Sequence, residues 1–163
     1  MNNQPMQRGQ QWLEELLRLS SLPTSVEATD EDESQEDKPS YWLTSDKTQL
    51  TPHQIQTLIG PEGAALDAIQ YLANSILNLG QDEEQQAAYT IELDGYRLRR
   101  QEELRALAAH AAQRVRETGE EFEMKSLSSA ERRQVHTFLK ECDDLETQSR
   151  GQEPDRRLVV RLR

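Results

Sequence analysis

The chain has 163 residues with a net charge of −11 and a hydrophobic content of 34%, and its mean hydropathy is −0.90. These values exclude one large hydrophobic core and favour two small units joined by polar segments. The sequence contains no apolar run typical of a transmembrane helix or a signal peptide, so we expect a cytoplasmic protein without membrane insertion. The single cysteine, Cys142, excludes an internal disulfide framework and, by itself, a multi-thiolate metal site.

The charge is distributed unevenly along the chain. Residues 1–94 contain 4 Lys/Arg against 17 Asp/Glu, a net charge of −13, whereas residues 95–163 contain 15 against 13, a net charge of +2. Phosphate binding depends on the local field within a Debye length of about 10 Å rather than on the total charge. Only the second half is therefore expected to bind a polyanion.

The first predicted elements are a helix and two strands. Hydrophobic residues at helical spacing over residues 10–20 predict an amphipathic helix, and we expect residues 1–9 to be a disordered N-terminus. Residues 24–28 and 41–44 are typical of strands, which we expect to pair with each other. They flank an acidic loop at residues 29–40, which we expect to be mobile and to have no binding role.

A short helix and a glycine turn follow. Thr51 at the cap and Pro52 at the first helical position predict a helix that ends at Ile59. The next four residues, Gly60-Pro61-Glu62-Gly63, predict a tight turn between two helices.

The second of these helices is predicted from Ala64 to about Leu79, where Gly80 ends it, and residues 88–93 predict a third strand. The apolar residues of the helix predict one buried stripe, which comprises Leu66, Ile69, Leu72, Ala73, Ile76 and Leu77.

The second half predicts a long helix from Tyr96 to about Thr118, a strand at residues 121–124, a helix that begins at Ser128 or Ser129, and a strand at residues 156–163. In this last strand, arginines alternate with aliphatic residues. Period-two alternation predicts that Leu158, Val160 and Leu162 are buried and that Arg157, Val159, Arg161 and Arg163 point outward.

The helix that follows Ser128 carries the main candidate site. Arg132 and His136 are four residues apart, so a helix places them on one side, while the apolar residues Val135, Phe138 and Leu139 lie on another. Two donor side chains on one exposed face form a platform for an anion, and a phosphodiester is the anion we expect. The alternative is an ordinary solvated helix with this spacing.

Two segments resemble known nucleic-acid-binding domains. The element order of the first half, together with Leu58 to Leu72 around the glycine turn, resembles a type II KH domain. Glu131-Arg132-Arg133-Gln134-Val135-His136 resembles the motif of the Arg-x-x-x-His domain, and residues 149–160 resemble its closing segment. In this order the two domains resemble the bacterial Jag/KhpB family over about residues 10–163.

The resemblance implies an α+β fold, with a type II KH domain (α-β-β-α-α-β) at residues 10–94 and a small α/β Arg-x-x-x-His domain at residues 95–163, joined by a long helix. It implies a protein that binds single-stranded RNA or single-stranded DNA, is associated with a small KH-domain partner or a homodimer, and is linked to cell elongation or division. It implies neither an enzyme nor a cofactor. The N-terminal Jag-type domain of many relatives is expected to be absent, because the chain begins with the KH unit.

The glycine turn departs from the family pattern. KH domains use the two glycines to bring backbone N–H groups at a helix N-terminus close to phosphates. Pro61 removes one of these donors, and Glu62 places a negative charge where a phosphate would lie. We therefore expect Gly60, Pro61, Glu62 and Gly63 to bind RNA weakly or not at all and to serve mainly as architecture.

Binding is accordingly assigned to the second domain. Arg132 is expected to donate to a phosphate from a solvent-exposed position, so burial of its guanidinium beneath packed neighbours would overturn this assignment. His136 is expected to contact a base or sugar. Four further arginines supply a positive field or form surface ion pairs: Arg133 with Glu131 or Glu120, Arg156 and Arg157 with Asp155 or Glu153, and Arg150 with a partner that the sequence does not specify.

Two function classes remain open. The first is an RNA-binding module whose second domain grips single strands. The second is a protein-interaction adaptor, in which the KH unit pairs with itself or with a small KH protein. Catalysis is not expected, because Cys142 near His136 is more typical of a packing residue, and His53, His110 and His136 lack metal-ligand spacing.

Overall fold

A computed structural model of the protein describes residues 3–30 and 38–163. The chain divides into two compact units, the first ending at Arg97 and the second beginning at Leu98. Within the described residues the fold is α+β, as predicted, with five α-helices and two three-stranded sheets. The predicted mobility of the acidic loop concerns mainly residues 31–37, which lie outside the described residues.

The first unit has the predicted element order. Its elements are α1 (Gln4–Leu19), β1 (Val26–Asp30), β2 (Ser40–Ser45), α2 (Pro52–Ile59), α3 (Ala64–Asn78) and β3 (Ala88–Leu93). The sheet has the order β1-β2-β3, with β1 and β2 antiparallel and β2 and β3 parallel. The predicted pairing of the first two strands is therefore confirmed, although β1 lies two residues later than predicted.

The helix α1 begins at Gln4, so residues 4–9 are helical and the predicted disorder of the N-terminus is wrong for them. Polar contacts and close packing hold this turn in place. Arg8 donates to Gln81 Oε1 at 3.0 Å and to the Gln85 carbonyl at 2.8 Å. A Cβ on Gly9 would lie only 2.5 Å from the Tyr89 ring, so the glycine allows the helix to approach the sheet closely. These contacts do not produce a hydrophobic pattern, and sequence periodicity therefore does not reveal them.

The edge strand β3 is bonded by three amide side chains of α3, spaced one helical turn apart. Asn74 both donates to the Tyr89 carbonyl at 2.8 Å and accepts from the Tyr89 N–H at 2.9 Å. Asn78 makes the same pair of bonds with Ala87, and Gln70 accepts from the Ile91 N–H at 3.0 Å. We call Gln70, Asn74 and Asn78 the amide ladder.

The amide ladder explains why the predicted apolar stripe of α3 is only partly buried. Leu66, Ala73 and Leu77 are buried, but Leu72 and Ile76 are 43% and 51% exposed. The helix turns its amide side chains toward β3, and this rotation directs Leu72 and Ile76 to solvent. The prediction that these two residues belong to the core is wrong.

The second unit contains most of α4 (Tyr96–Thr118), β4 (Phe122–Met124), α5 (Ser129–Lys140), β5 (Leu145–Arg150) and β6 (Arg157–Leu162). Its sheet has the order β4-β6-β5, and both neighbouring pairs are antiparallel. The core of this unit is formed by Leu104, Ala108, Ala111, Ala112, Val115, Met124, Leu127, Val135, Leu139, Leu145, Leu158 and Val160.

The strand β6 is central in this sheet, which changes the predicted alternation. Leu158 and Val160 are buried as predicted, but Val159 is also buried and Leu162 is exposed. Val159 lies between Glu123 and Gln148 on the two flanking strands, whose side chains cover it from solvent. A strand with neighbours on both sides is covered on its outer face more fully than the alternating pattern predicts.

Across residues 3–30 and 38–163, no helix has the combination of length and apolar character needed to span a membrane.

Candidate nucleic-acid interface

The helix α5 is fixed at its start by a capping box. Ser128 Oγ accepts from the Glu131 N–H at 3.1 Å, and the Glu131 carboxylate accepts from the Ser128 N–H at 3.0 Å. Glu131 also accepts from Arg100 Nε at 2.7 Å. The helix start is therefore confirmed, but Glu131 pairs with Arg100 instead of the predicted partner Arg133.

Arg132 is buried, with only 5% of its surface exposed. Its Nη1 donates to the Leu127 carbonyl at 2.7 Å and to the Arg156 carbonyl at 3.4 Å, and its Nη2 pairs with Glu153. The prediction that Arg132 donates to a phosphate from an exposed helix face is wrong. Its spacing from the buried residues Val135 and Leu139 places it on the inner side of α5.

The buried guanidinium nevertheless lines a groove with a volume of about 370 Å³. We call this the basic groove. It lies between the start of α5 and the strands β5 and β6, and its lining residues are Ser129, Arg132, Arg133, His136, Thr147, Ser149, Arg156 and Leu158. Four of the predicted site residues thus come together in one concave surface. Thr147 was not among the predicted residues, because β5 was not predicted.

His136 and two arginines form the solvent-facing part of the basic groove. His136 is exposed and its Nδ1 is hydrogen-bonded to Thr147 Oγ1, which leaves Nε2 without a hydrogen-bond partner among the described residues. Arg133 and Arg156 are exposed, and neither forms an ion pair within residues 3–30 and 38–163. These three side chains are available to a ligand.

Two of the predicted arginines do not line the basic groove and form ion pairs instead. Arg150 makes a two-pronged contact with Glu121, at 2.8 and 2.9 Å, and Arg157 donates to Glu123 at 2.9 Å. The hydrogen bond from Arg150 lowers the pKa of Glu121 below its usual range. The ion-pair alternative is thus observed for both arginines, although Arg157 has a partner other than the predicted Asp155 or Glu153.

The glycine turn has the expected strained backbone. Its φ angles are +73° at Gly60, +53° at Glu62 and +77° at Gly63. The Gly60 N–H donates to the Gln56 carbonyl at 2.8 Å, and the Gly63 N–H donates to the Gly60 carbonyl at 3.2 Å. Both N–H groups are therefore used inside the protein.

Gly63 also packs directly against an aromatic ring. A Cβ at this position would lie 2.3 Å from Tyr96 Oη, so only glycine fits here without displacement of the ring. Glu62 is exposed at the tip of the turn.

The described residues contain no group of three or more His, Cys, Asp or Glu side chains that could hold a metal ion. Cys142 is half-buried and packs against the core of the second unit.

Comparison with known proteins identifies both the second unit and the chain as a whole. Residues 102–162 match the family model of the Arg-x-x-x-His domain, and this range covers most of α4 and all later elements. The chain is 31% identical over 106 residues to the RNA-binding protein KhpB of Clostridium symbiosum, covering 65% of this chain and 47% of that protein. It is 28% identical over 148 residues to KhpB of Bacillus subtilis, covering 88% and 67%.

A third relative, KhpB of Streptococcus pneumoniae, is 31% identical over 121 residues, which cover 74% of this chain and 36% of that protein. The chain thus spans about half the length of the Clostridium relative and about a third of the Streptococcus relative. The domain match at one end and the KhpB alignments across both units lead to the same assignment, and this chain belongs to the Jag/KhpB family.

Proposed function

We propose that this protein binds single-stranded RNA mainly through the basic groove of its second unit. The observation that supports this most directly is the convergence of Arg132, Arg133, Arg156 and His136 on one concave surface. The net charge of +2 in residues 95–163 favours a polyanion. The relatives that align with this chain are named RNA-binding proteins.

The side chains of the basic groove divide the work of binding. Arg133 and Arg156 are exposed and contact phosphates from the rim. The Nε2 of His136 faces a sugar or a base edge, because Nδ1 is held by Thr147. Arg132 presents its charge from the floor of the groove, where the Leu127 and Arg156 carbonyls fix its orientation.

The composition of the groove favours backbone contacts over base recognition. Apart from His136, its lining residues include no aromatic side chain on which a base could stack. We therefore infer a binding mode with little sequence preference.

We infer that the first unit is a type II KH domain whose glycine turn is mainly architectural. The element order and the mixed sheet support the KH assignment. The close packing of Gly63 against Tyr96 supports a structural role for the turn, and the internal hydrogen bonds of Gly60 and Gly63 leave few donors for a phosphate. The regulatory role in cell elongation or division and the cytoplasmic location, which the family resemblance implies, stay predictions.

A salt titration tests the proposed binding mode. A fluorescent single-stranded RNA is titrated with the full chain, and log affinity is plotted against log salt concentration. We expect Arg133→Ala combined with Arg156→Ala to make the slope shallower by about 1.4, which corresponds to roughly 0.7 for each lost phosphate contact.

The matched control is Arg150→Ala combined with Arg157→Ala, because both residues are paired with glutamates outside the basic groove. We expect this control to leave the slope close to that of the unaltered protein. Equal changes in the two double variants would contradict the assignment of binding to the groove.

A protein-interaction adaptor is the second candidate, and the exposed face at α3 favours it. Leu72, Ile76 and Leu79 are 43%, 51% and 79% exposed and are spaced at i, i+4 and i+7. Such an apolar face is typical of a docking surface, here for a second copy or for a small KH protein. If this face forms a homodimer, Ile76→Glu should convert a dimer into a monomer in analytical ultracentrifugation, whereas Ser75→Glu on the neighbouring surface should not.

A further inference from the structure

The Glu153 carboxylate lies on the solvent side of the buried Arg132 guanidinium. Glu153 is in the connection between β5 and β6, and it pairs with Arg132 Nη2. The exposed fractions of the two side chains differ greatly, at 58% for Glu153 and 6% for Arg132. The carboxylate is therefore the layer that separates Arg132 from solvent in the direction from which a ligand would enter.

A carboxylate and a phosphate use the same geometry on a guanidinium. Both accept N–H donors through paired oxygens, and an arginine that binds one can bind the other. The Glu153 carboxylate thus occupies the position that a phosphate oxygen of the ligand would take on Nη2. The two anions cannot both occupy this position, and like charges at such a distance repel each other.

The position of Arg132 does not depend on Glu153. Its Nη1 is held by the Leu127 and Arg156 carbonyls, so the guanidinium stays oriented toward the groove when the carboxylate moves away. Glu153 is exposed and can rotate into solvent, where water replaces the lost contact.

We propose that Glu153 is an internal competitor of the ligand phosphate, which must leave Arg132 before a phosphodiester can bind there. This inference rests on the proposed function of the basic groove. Glu153 thereby lowers the affinity of the groove for single strands, and Arg132 supplies a phosphate contact that is covered in the free protein.

The test compares two charge-neutralising variants of the full chain in the same RNA salt titration. Glu153→Gln keeps the size of the side chain and an acceptor for Arg132 but removes the competing charge. We expect the affinity at low salt to rise about three- to tenfold and the salt slope to become steeper by about 0.7, equivalent to one additional phosphate contact.

The matched control is Glu123→Gln, which removes the same charge and releases Arg157 outside the basic groove. We expect it to change the affinity by less than about twofold, because an exposed charge at a distance is largely screened. An equal gain in both variants would mean that only net charge matters, and would overturn the proposal.

Direct observation of Arg132 provides a second measurement that does not require a destabilising variant. In ¹⁵N-labelled protein, addition of a short single-stranded RNA should shift the Arg132 side-chain resonances, and Glu153→Gln should lower the RNA concentration needed for half of that shift. If Glu153→Gln binds RNA as the unaltered protein does, or more weakly, the competitor role is wrong while the groove assignment stands. If none of the variants binds RNA at any salt concentration, the proposed function fails and this inference fails with it.

Discussion

Arg132 connects three segments of the second unit. From α5 it donates to the carbonyl of Leu127, which precedes the helix, and to the carbonyl of Arg156, which precedes β6. Removal of this side chain would leave the Leu127 carbonyl without its donor and open a cavity beneath the groove. A buried arginine of this kind stabilises the site as well as contributing its charge to it.

We predict that Arg132→Ala lowers the free energy of unfolding of the second unit by about 2–4 kcal/mol, because buried polar groups lose their partner. Arg133→Ala, at the neighbouring exposed position, should change it by less than about 0.5 kcal/mol. Urea titration followed by circular dichroism measures both. A stable Arg132→Ala protein would contradict the structural role of this side chain.

Gly63 allows a matched test of close packing in the first unit. Gly63 and Gly80 both have positive φ angles, of +77° and +71°, but a Cβ meets Tyr96 at Gly63 and nothing within 4 Å at Gly80. We predict that Gly80→Ala costs roughly 1–2 kcal/mol from backbone strain alone. Gly63→Ala should cost about 1–3 kcal/mol more, because the added methyl overpacks the Tyr96 contact. Equal losses in urea titrations of the two variants would show that Tyr96 moves aside freely.

The ion pairs around β4 and β5 predict a pH dependence of stability. Arg150 lowers the pKa of Glu121, and Arg116 lowers the pKa of Asp144. The folded pKa of each carboxyl is below its unfolded value, so their contribution is fully present above the unfolded pKa and is lost as the pH falls through the folded pKa.

We therefore predict that the urea midpoint of the second unit falls between about pH 5 and pH 3, where carboxyl groups of this type titrate. Glu121→Gln should make this decrease shallower. A midpoint that rises on acidification would contradict the sign of the effect.

At the scale of elements, the amide ladder shows how polar side chains decide the orientation of a helix. Asn74 bonds both backbone groups of Tyr89, on the side of β3 that has no strand neighbour. These bonds replace those of a missing strand and set which residues of α3 enter the core.

We predict that Asn74→Leu destabilises the first unit by about 2–4 kcal/mol, although leucine has a similar size, because two backbone groups of Tyr89 lose their partners. Ser75→Leu, at an exposed position on the same helix, should change stability by less than about 0.5 kcal/mol. Hydrogen exchange of the Tyr89 amide should accelerate only in Asn74→Leu. Unchanged exchange would mean that the ladder bond is not formed in solution.

Helices with caps and apolar periodicity were predictable from the sequence, and elements held by polar contacts were not. Thr51 and Ser128 predict their helix starts because a hydroxyl and a glutamine or glutamate make the capping pattern local. The strand β5, with the sequence LETQSR, was missed because one apolar residue carries no period.

The candidate site was predictable in part. Four of its arginine and histidine residues lie together as expected, because they belong to one motif and one strand. The burial of Arg132 was not predictable from its spacing to His136, since the same residue also has core spacing to Val135 and Leu139. Partners that lie far apart in sequence, such as Glu121 for Arg150, could not be identified without the sheet register.

At the scale of the whole molecule, a strongly acidic first unit and a weakly cationic second unit share one chain. The net charge of −11 alone would argue against nucleic-acid binding. The cations that matter, Arg132, Arg133 and Arg156, lie together on the second unit. Local concentration of a few cations decides binding, while the acidic surface opposes non-specific adsorption of polyanions.

We predict that the protein binds single-stranded RNA and single-stranded DNA of the same sequence with affinities within about fivefold, because phosphate contacts do not distinguish the two sugars. Parallel titrations at one salt concentration measure this ratio. A preference for RNA above about twentyfold would instead indicate a direct contact to the 2′-hydroxyl, with His136 the first candidate for alanine substitution.

The amide ladder also limits how the first unit can join other polypeptides. Many assemblies grow by strand augmentation, in which an incoming chain uses a bare sheet border as its template. The border at β3 is already occupied at Ala87, Tyr89 and Ile91. Recruitment through that side of the sheet is therefore closed off, and an associating protein would have to use a helical surface of this unit or the opposite border at β1.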